Sequence, residues 1–426
     1  MKYFGTDGIR GVAGKDLSSK FLKKLALGLV RFYKEKNLER VLLVGNDSRI
    51  SSDFILSNIE SVLLEYGIEV HDIGICSSPC LAYLTKKYNY PLSMMISASH
   101  NPYEYNGVKF FNANGEKISE KSELMIEHLI EKTSKPRLRQ FAVRKYLDNI
   151  KTDYIDYLKS LIHFDLPIII DCACGGASEI CKRVFHHQHI VNSKMNGYNI
   201  NCNSGCTDIS FLRSICIKEN KVGIAVDGDA DRVIIVDKNG DCIDGDEILY
   251  ILSKFYLRQN DSVVGTIYSN TGLEKSLNKH QISLIRSNVG DKAVYNLMKK
   301  HNAILGGEKS GHIIFTRYSN TGDGLLNAII ILNILYLSKR TFAELLSEYT
   351  PMEQIYKNIS LSGKFSMNEN LRILVKKYEH EGARIIIRPS GTEPVLRLMV
   401  EHENKTTALE MINHLQSLIS IKNREK

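Results

Sequence analysis

The sequence predicts an α/β protein of three similar α/β domains and a smaller C-terminal α+β domain, arranged around one central cleft. Three observations carry this expectation. A chain of 426 residues is far too long for one hydrophobic core. Short apolar runs alternate with amphipathic stretches along most of it, which is the pattern of strand–helix units. Polar, glycine-bearing loops follow directly on several of these runs, at the strand ends where open α/β sheets hold ligands.

The elements follow in order. Residues 41–44 read as a strand, 52–66 as a helix and 68–73 as a strand. Ser78-Pro79 opens a helix, with an N-cap and a proline in first position. Leu92–Ile96 and 108–111 are further strands. A charged, weakly ordered stretch at 131–139, holding Pro136, ends the first domain, 1–147. In the second, 148–245, a strand at 166–170 ends in Asp171 and leads through Gly175-Gly176 into a helix. Val222–Val226 ends at Asp227 and pairs with Val233–Val236. The third, 246–350, opens with a helix at 246–256. Strands at 263–267, 282–285 and 303–305 then alternate with helices. The fourth, 351–426, has helical spacing through the 370s, strands at 385–387 and 395–400, and a last helix from Thr406.

Each domain brings one loop that carries chemistry. The first is Ser97-Ala98-Ser99-His100-Asn101-Pro102, directly after Leu92–Ile96. Asn-Pro bars a helix at Asn101. Ser99 is thereby presented on a stiff turn beside an imidazole, which suits a nucleophile or a phosphoryl carrier. The second is Asp227-Gly228-Asp229-Ala230-Asp231-Arg232. Three carboxylates alternate on a tight turn and repel one another, and a divalent cation relieves this. All-oxygen ligation selects Mg²⁺ or a similar hard ion. An EF-hand is excluded, because the loop lacks its glycine and its terminal bidentate glutamate. The third is Gly306-Gly307-Glu308-Lys309-Ser310-Gly311-His312, where a carboxylate and a hydroxyl suit vicinal sugar hydroxyls. The fourth is Arg388-Pro389-Ser390-Gly391-Thr392-Glu393-Pro394, with Arg397 beyond: a hairpin turn whose guanidiniums, hydroxyls and bare backbone suit a phosphate. Two cations, Arg10 in the glycine-rich opening and Lys109 on the strand after the Ser99 loop, are placed to neutralise a phosphoryl group.

Composition narrows the classes. Hydrophobic content of 43% and charged content of 24% are those of a soluble globular protein. The net charge of +8 is spread without a basic run, which argues against nucleic acid and suits an anionic small substrate. The opening residues hold no apolar signal region. The longest apolar stretch, 325–337, is interrupted by Asn327 and Asn333, is too short to span a bilayer, and reads as a buried helix. Nine cysteines point to reduced thiols in the cytoplasm, and neither Cys172/Cys174 nor Cys202/Cys206 has zinc-ligand spacing. His186, His187 and His189 read as a solvated turn. P-loop and dinucleotide fingerprints are missing.

A carrier serine, a metal loop, a sugar-hydroxyl loop and a phosphate cradle are the parts of phosphoryl transfer on a phosphosugar. In this order the four loops resemble those of the α-D-phosphohexomutases. The opening Phe4-Gly5-Thr6-Asp7-Gly8-Ile9-Arg10-Gly11, the stretch 200–208 and Val289-Gly290-Asp291 resemble the branch that works on glucosamine phosphates. The resemblance spans nearly the whole chain. It implies a four-domain, heart-shaped enzyme that reversibly converts glucosamine 6-phosphate to glucosamine 1-phosphate, feeding UDP-N-acetylglucosamine and cell-wall synthesis.

The residue roles that follow are likewise implied by the resemblance. Ser99 becomes a phosphoserine, and a 1,6-bisphosphate is the intermediate. Asp227, Asp229 and Asp231, with phospho-Ser99, hold one Mg²⁺ per chain. Glu308 and Ser310 hold sugar hydroxyls, with Arg232 and His312 beside the substrate. Arg388, Ser390, Gly391, Thr392 and Arg397 grip the non-reacting phosphate. Lys109, Arg10 and His100 serve proton transfer and charge stabilisation. Glucosamine 1,6-bisphosphate is the expected activator, a phosphosugar the expected partner, and a homodimer the expected assembly. Two positions depart from the pattern. Lys309 stands where that branch usually carries Gln, which bears on sugar choice, and Ala230 stands where Gly is more common. The alternatives are a phosphomannomutase/phosphoglucomutase, a metal-dependent phosphatase with Asp227 as nucleophile, and a non-catalytic phosphosugar-binding protein.

Overall fold

The strand Leu92–Ile96, which delivers the Ser99 loop, is buried at all five positions, so its apolar run is a central strand. The computed structural model describes residues 2–132, 141–361, 365–389 and 395–424. These residues form four sheets. The six-stranded sheet runs, in spatial order, Ile9–Val12, Tyr105–Asn112, Leu92–Ile96, Val41–Asn46, Glu69–Ile75 and Arg144–Tyr146. Its two first pairings are antiparallel and the rest parallel. The five-stranded sheet runs Cys242–Ile243, Val233–Val236, Val222–Val226, Ile168–Asp171 and His189–Val191. The four-stranded sheet runs Ser283–Ser287, Ser262–Thr266, Leu305–Gly307 and Ile313–Phe315. The last, three-stranded and antiparallel, runs Glu353–Ser360, Val395–His402 and Arg384–Pro389.

By contacts the chain divides into two compact units. One holds residues 1–269 and 280–346, and so the first three sheets. The other holds 270–279 and 347–426, so that the helix Thr271–Asn278 joins the antiparallel sheet. In this second unit the buried carboxylate of Glu401 takes a bidentate pair from Arg384, at 2.9 and 2.8 Å, and the backbone N–H of Thr271. Its apolar core joins Leu396, Leu398 and Val400 to Ala408, Ile412 and Leu415 of the helix Lys405–Arg424.

The helix Gly324–Ser338 occupies the predicted apolar stretch, and ten of its residues are buried. Its two asparagines are structural. Asn327 Nδ2 donates to the carbonyls of Ile313 and Asp323, both at 2.8 Å, and Asn333 Nδ2 donates to that of Leu161 at 2.7 Å. Such bonds offset the cost of burying the amide N–H groups, while Asn327 Oδ1 is buried without a partner among the described residues. No described helix is long and apolar enough to cross a membrane.

Two expectations change in detail, and a third lies almost wholly outside the described residues. The cap of the helix Ser78–Lys87 is Ser77, whose Oγ accepts from the N–H of Cys80; Ser78 and Pro79 are its first two residues. The shift frees the Ser78 hydroxyl for another partner. His189 begins a strand and pairs with Glu219 at 3.0 Å, rather than lying in a solvated turn. The weakly ordered stretch 131–139 falls almost wholly outside the described residues.

Candidate active site

The strand Leu92–Ile96 ends in a sharp turn. Ser99 takes left-handed backbone, φ +52°, with its N–H donating to Ser97 Oγ at 2.8 Å. Its hydroxyl donates to Asp227 Oδ2 at 2.7 Å and lies 3.2 Å from His100 Nδ1. Two loops more than a hundred residues apart in sequence thus meet at one oxygen, which is buried.

Asp227, Asp229 and Asp231 converge as their spacing suggests. One carboxylate oxygen from each lies within 4.8 Å of the other two, and all three residues are buried. The loop is tight enough that a Cβ on Gly228 would stand 2.7 Å from the Ser99 carbonyl oxygen, so only glycine lets the two loops touch there. Ala230 sits at φ +58°, left-handed backbone that glycine adopts freely and alanine adopts at a cost of about 1–2 kcal/mol. Burial, then the charges of Asp231 and Asp229, push the Asp227 carboxyl up to about 8. The second oxygens of Asp229 and Asp231 are buried without a hydrogen-bond partner among the described residues. Unpaired, converging, hard oxygen donors in a low-dielectric site fit a divalent cation such as Mg²⁺.

The fixed cations are built into the same cluster. Lys109 Nζ lies 2.6 Å from Asp229 Oδ2, 3.0 Å from Asp7 Oδ2 and 3.4 Å from Asp231 Oδ2. Burial alone lowers its pKa, but Asp229, Asp7 and Asp231 outweigh burial and hold it well above the usual lysine range. Lys109 is therefore protonated, a fixed positive charge built into the carboxylate cluster. Arg10 pairs with Asp7, and its Nη1 reaches Asn101 Oδ1 at 3.3 Å. His100 is held neutral: burial, then Arg232 and Arg10, bring it down to about 3.

The glycine-rich third loop closes onto the metal loop. Val233 N–H donates to the Gly311 carbonyl at 3.0 Å, and Glu308 N–H to that of His312 at 3.0 Å. This brings His312 Nε2 to 3.8 Å from both Asp231 and Asp291. Glu308 Oε1 accepts from Gly290 N–H at 3.0 Å, and Ser310 is exposed. Arg232 donates its backbone N–H to Asp227 Oδ1 at 3.2 Å. The arrangement depends on Gly311, at φ +92°, where a Cβ would meet the Val233 carbonyl oxygen at 2.1 Å. Gly311→Ala is expected to cost about 3 kcal/mol and to lower Tm by several degrees in a thermal melt. A variant that melts like the parent would show that the loop has room.

Arg388 and Arg397 are direct register partners on Arg384–Pro389 and Val395–His402, so both side chains leave the sheet on one face. Like charges set opposite each other favour an anion between them. Ser390, Gly391 and Thr392, predicted for the same cradle, lie outside the described residues.

Sequence reasoning missed several contributors. Lys117, its side chain 9% exposed, bridges Asp7 to Asp291. Ser78 donates its hydroxyl to Asp229 Oδ2. Arg49 and Asn201 both bond the backbone of the Ser99 turn. Arg49 had a signal in the Asp-x-Arg step at the end of the strand Val41–Asn46, and Asn201 falls in the stretch 200–208, but neither pattern showed that the side chain reaches the Ser99 turn.

Comparison with known proteins fits this geometry. Models of the phosphoglucomutase/phosphomannomutase family match the chain at α/β/α domain I over residues 1–137, at α/β/α domain III over 244–352 and at the C-terminal domain over 346–414. A phosphoglucosamine mutase of Finegoldia magna is 36% identical, the match covering 98% of each chain. One of Clostridium botulinum is 38% identical over 99% of each. Among solved structures, a phosphoglucomutase/phosphomannomutase family protein from Burkholderia thailandensis superposes with a TM-score of 0.78 at 18% identity, covering 96% of this chain and 95% of that one. The N-acetylphosphoglucosamine mutase of Aspergillus fumigatus, solved with GlcNAc-6P and magnesium, gives a TM-score of 0.69 at 15% identity, with 97% and 95% covered. With near-full-length identity to these relatives and three matched domains, the chain belongs to the phosphoglucosamine mutase family of the α-D-phosphohexomutases, and it is an isomerase.

Proposed function

We propose that this protein reversibly converts glucosamine 6-phosphate to glucosamine 1-phosphate, with Ser99 as the phosphoryl carrier. The observation that carries the reading is the Ser99 hydroxyl held 2.7 Å from Asp227 in a buried cluster of three converging carboxylates and Lys109. A serine so placed needs no Ser-His-acid triad, because its task is to carry a phosphoryl group whose charge Lys109, Arg10 and a cation held by the three carboxylates would neutralise. The names of the curated relatives supply the sugar.

In the forward half-reaction the bond from phosphorus to Ser99 Oγ breaks and a bond from phosphorus to the free sugar hydroxyl forms. That hydroxyl gives up its proton and Ser99 regains one, leaving a 1,6-bisphosphate. The reverse step, with the sugar turned end for end, restores the phosphoserine. Asp227, Asp229 and Asp231 would hold Mg²⁺, which when bound neutralises charge on the phosphoryl oxygens. Lys109 and Arg10 add fixed positive charge, and neutral His100, whose Nδ1 lies 3.2 Å from Ser99 Oγ, can hydrogen-bond the oxygen that carries the phosphoryl group. Glu308 and Ser310 are assigned to the sugar hydroxyls, with Arg232 and His312 beside them. The grip on the phosphate that is not transferred is assigned to Arg388, Ser390, Gly391, Thr392 and Arg397. Glucosamine 1,6-bisphosphate is the natural activator, since it primes Ser99. With nine cysteines unpaired, we place this activity in the reducing cytoplasm.

The second reading is a phosphomannomutase/phosphoglucomutase, and Lys309 is the residue that favours it. Its ammonium lies 3.7 Å from Asp244 Oδ2, the cap of the helix Gly245–Tyr256, and this draws its charge back from a sugar ammonium. The deciding experiment compares kcat/KM for glucosamine, glucose and mannose phosphates. Glucosamine phosphate is expected to lead by at least tenfold, and a preference for mannose 1-phosphate would sink the proposal. For Arg388→Ala we expect KM to rise about tenfold with kcat within about threefold, because a non-reacting phosphate supplies binding energy. A large fall in kcat at constant KM would show instead that this binding is realised in the transition state.

A further inference from the structure

The left-handed turn at Ser99 costs a non-glycine residue about 1–2 kcal/mol, so neighbouring groups must hold it in place. Two side chains from distant segments do so by bonding the same two carbonyl oxygens. Arg49 Nη2 donates to the carbonyls of Ser99 at 2.8 Å and Asn101 at 2.7 Å. Asn201 Nδ2 donates to the same pair, at 2.8 Å and 3.1 Å. Each oxygen thus has both lone pairs filled, by a guanidinium on one side and an amide on the other. Arg49 cannot drift: it is buried, its Nε is paired to buried Asp47 at 2.9 Å, and its Nη1 donates to the Tyr105 carbonyl at 2.9 Å. Asn201 is fixed by its own backbone, which sits at φ +58° and donates to the Ala173 carbonyl at 2.9 Å.

We propose that Arg49 and Asn201 form a two-sided carbonyl clamp that locks the Ser99 turn with its hydroxyl aimed at Asp227, making both of them positioning residues for phosphoryl transfer. The inference rests on the reading of Ser99 as phosphoryl carrier. Both side chains bond backbone carbonyls of the turn rather than the reacting hydroxyl, so they act on the reaction by fixing where Oγ stands. A displacement of about 1 Å at a reacting atom is enough to cost about 10²-fold in rate. Clamp and metal loop also interlock, since Gly228 leaves room for both the Ser99 carbonyl and the Asn201 amide.

The test is Asn201→Gly, which deletes the amide while keeping backbone that tolerates positive φ. Parent and variant are dephosphorylated, mixed with Mg²⁺ and glucose 1,6-bisphosphate, and followed by intact mass. In this step a bond from phosphorus to Ser99 Oγ forms, a bond from phosphorus to a sugar oxygen breaks, and the hydroxyl proton passes to that oxygen. We expect the variant to phosphorylate at least tenfold more slowly, with KM for the hexose phosphate within twofold and kcat reduced in step. A smaller fall in rate, or a loss carried by KM alone, would overturn the clamp. If the glycine variant does not fold, Asn201→Asp replaces it under the same criteria, since it keeps the shape but removes both N–H donors. A parent that takes up no phosphate would remove the carrier reading and the clamp with it. A parent that is phosphorylated, with an equally fast variant, would remove the clamp alone.

Discussion

Ser99→Ala is expected to lower mutase turnover by on the order of 10⁴-fold or more, about 5.5 kcal/mol of barrier, and to abolish covalent phosphate on the purified protein. The side chain has one replaceable part, its hydroxyl, and that hydroxyl is the atom held 2.7 Å from Asp227. Alanine accepts the φ of +52° no worse than serine, so the turn should persist. The lost bond to Asp227 should change stability by only about 1 kcal/mol. The three carboxylates, Lys109 and Arg10 all remain, so the variant should still bind a divalent cation and a phosphosugar. Intact mass then reads the chemistry apart from the fold: one phosphate on part of the parent, none on the variant. Ser99→Ala with full activity, beside an inactive Asp227→Asn, would instead support hydrolysis with Asp227 as nucleophile.

The Ser99 turn, the carboxylate loop and the glycine-rich loop were legible because each is short, polar and placed after an apolar run. The strand Leu92–Ile96 and the pair Val222–Val226 and Val233–Val236 fall at their predicted bounds, since a largely buried strand leaves a short, mostly apolar run. What the sequence hid is tertiary. Arg49 and Asn201 lie 50 and 102 positions from Ser99, and a local pattern gives no sign that their side chains meet one backbone turn. The Ser77/Ser78 choice of cap shows the same limit. Both serines satisfy capping rules, but only the fold reveals that Asp229 claims the second hydroxyl. Lys109 was legible as a cation near the site, whereas its three carboxylate partners, which keep it protonated, come from segments that only the fold brings together.

Asp229→Asn should abolish activity in a way that added Mg²⁺ does not rescue. Asp229 Oδ2 already takes Ser78 and Lys109, and its Oδ1 is buried without a partner among the described residues, so the free oxygen is the one available to a cation. Asparagine keeps the shape and removes the charge. At an effective dielectric near 20, one unit charge about 4 Å from another contributes roughly 4 kcal/mol and about twice that toward a divalent ion, so one lost carboxylate should cost the ion at least about a thousandfold in affinity. The substitution also shifts the competition inside the cluster. Lys109 keeps Asp7 at 3.0 Å and Asp231 at 3.4 Å, so its ammonium stays in place and opposes a second cation more strongly once one negative charge is gone. The like-charge push on Asp227 weakens too, which returns that carboxyl toward its ordinary range, yet two carboxylates facing a fixed lysine remain a poor site. Calorimetric titration with Mg²⁺ alone should detect no binding at concentrations that saturate the parent, while thermal melts stay within a few degrees. Turnover that recovers fully at high Mg²⁺, or unchanged affinity, would show that Asp229 serves Lys109 and not the metal.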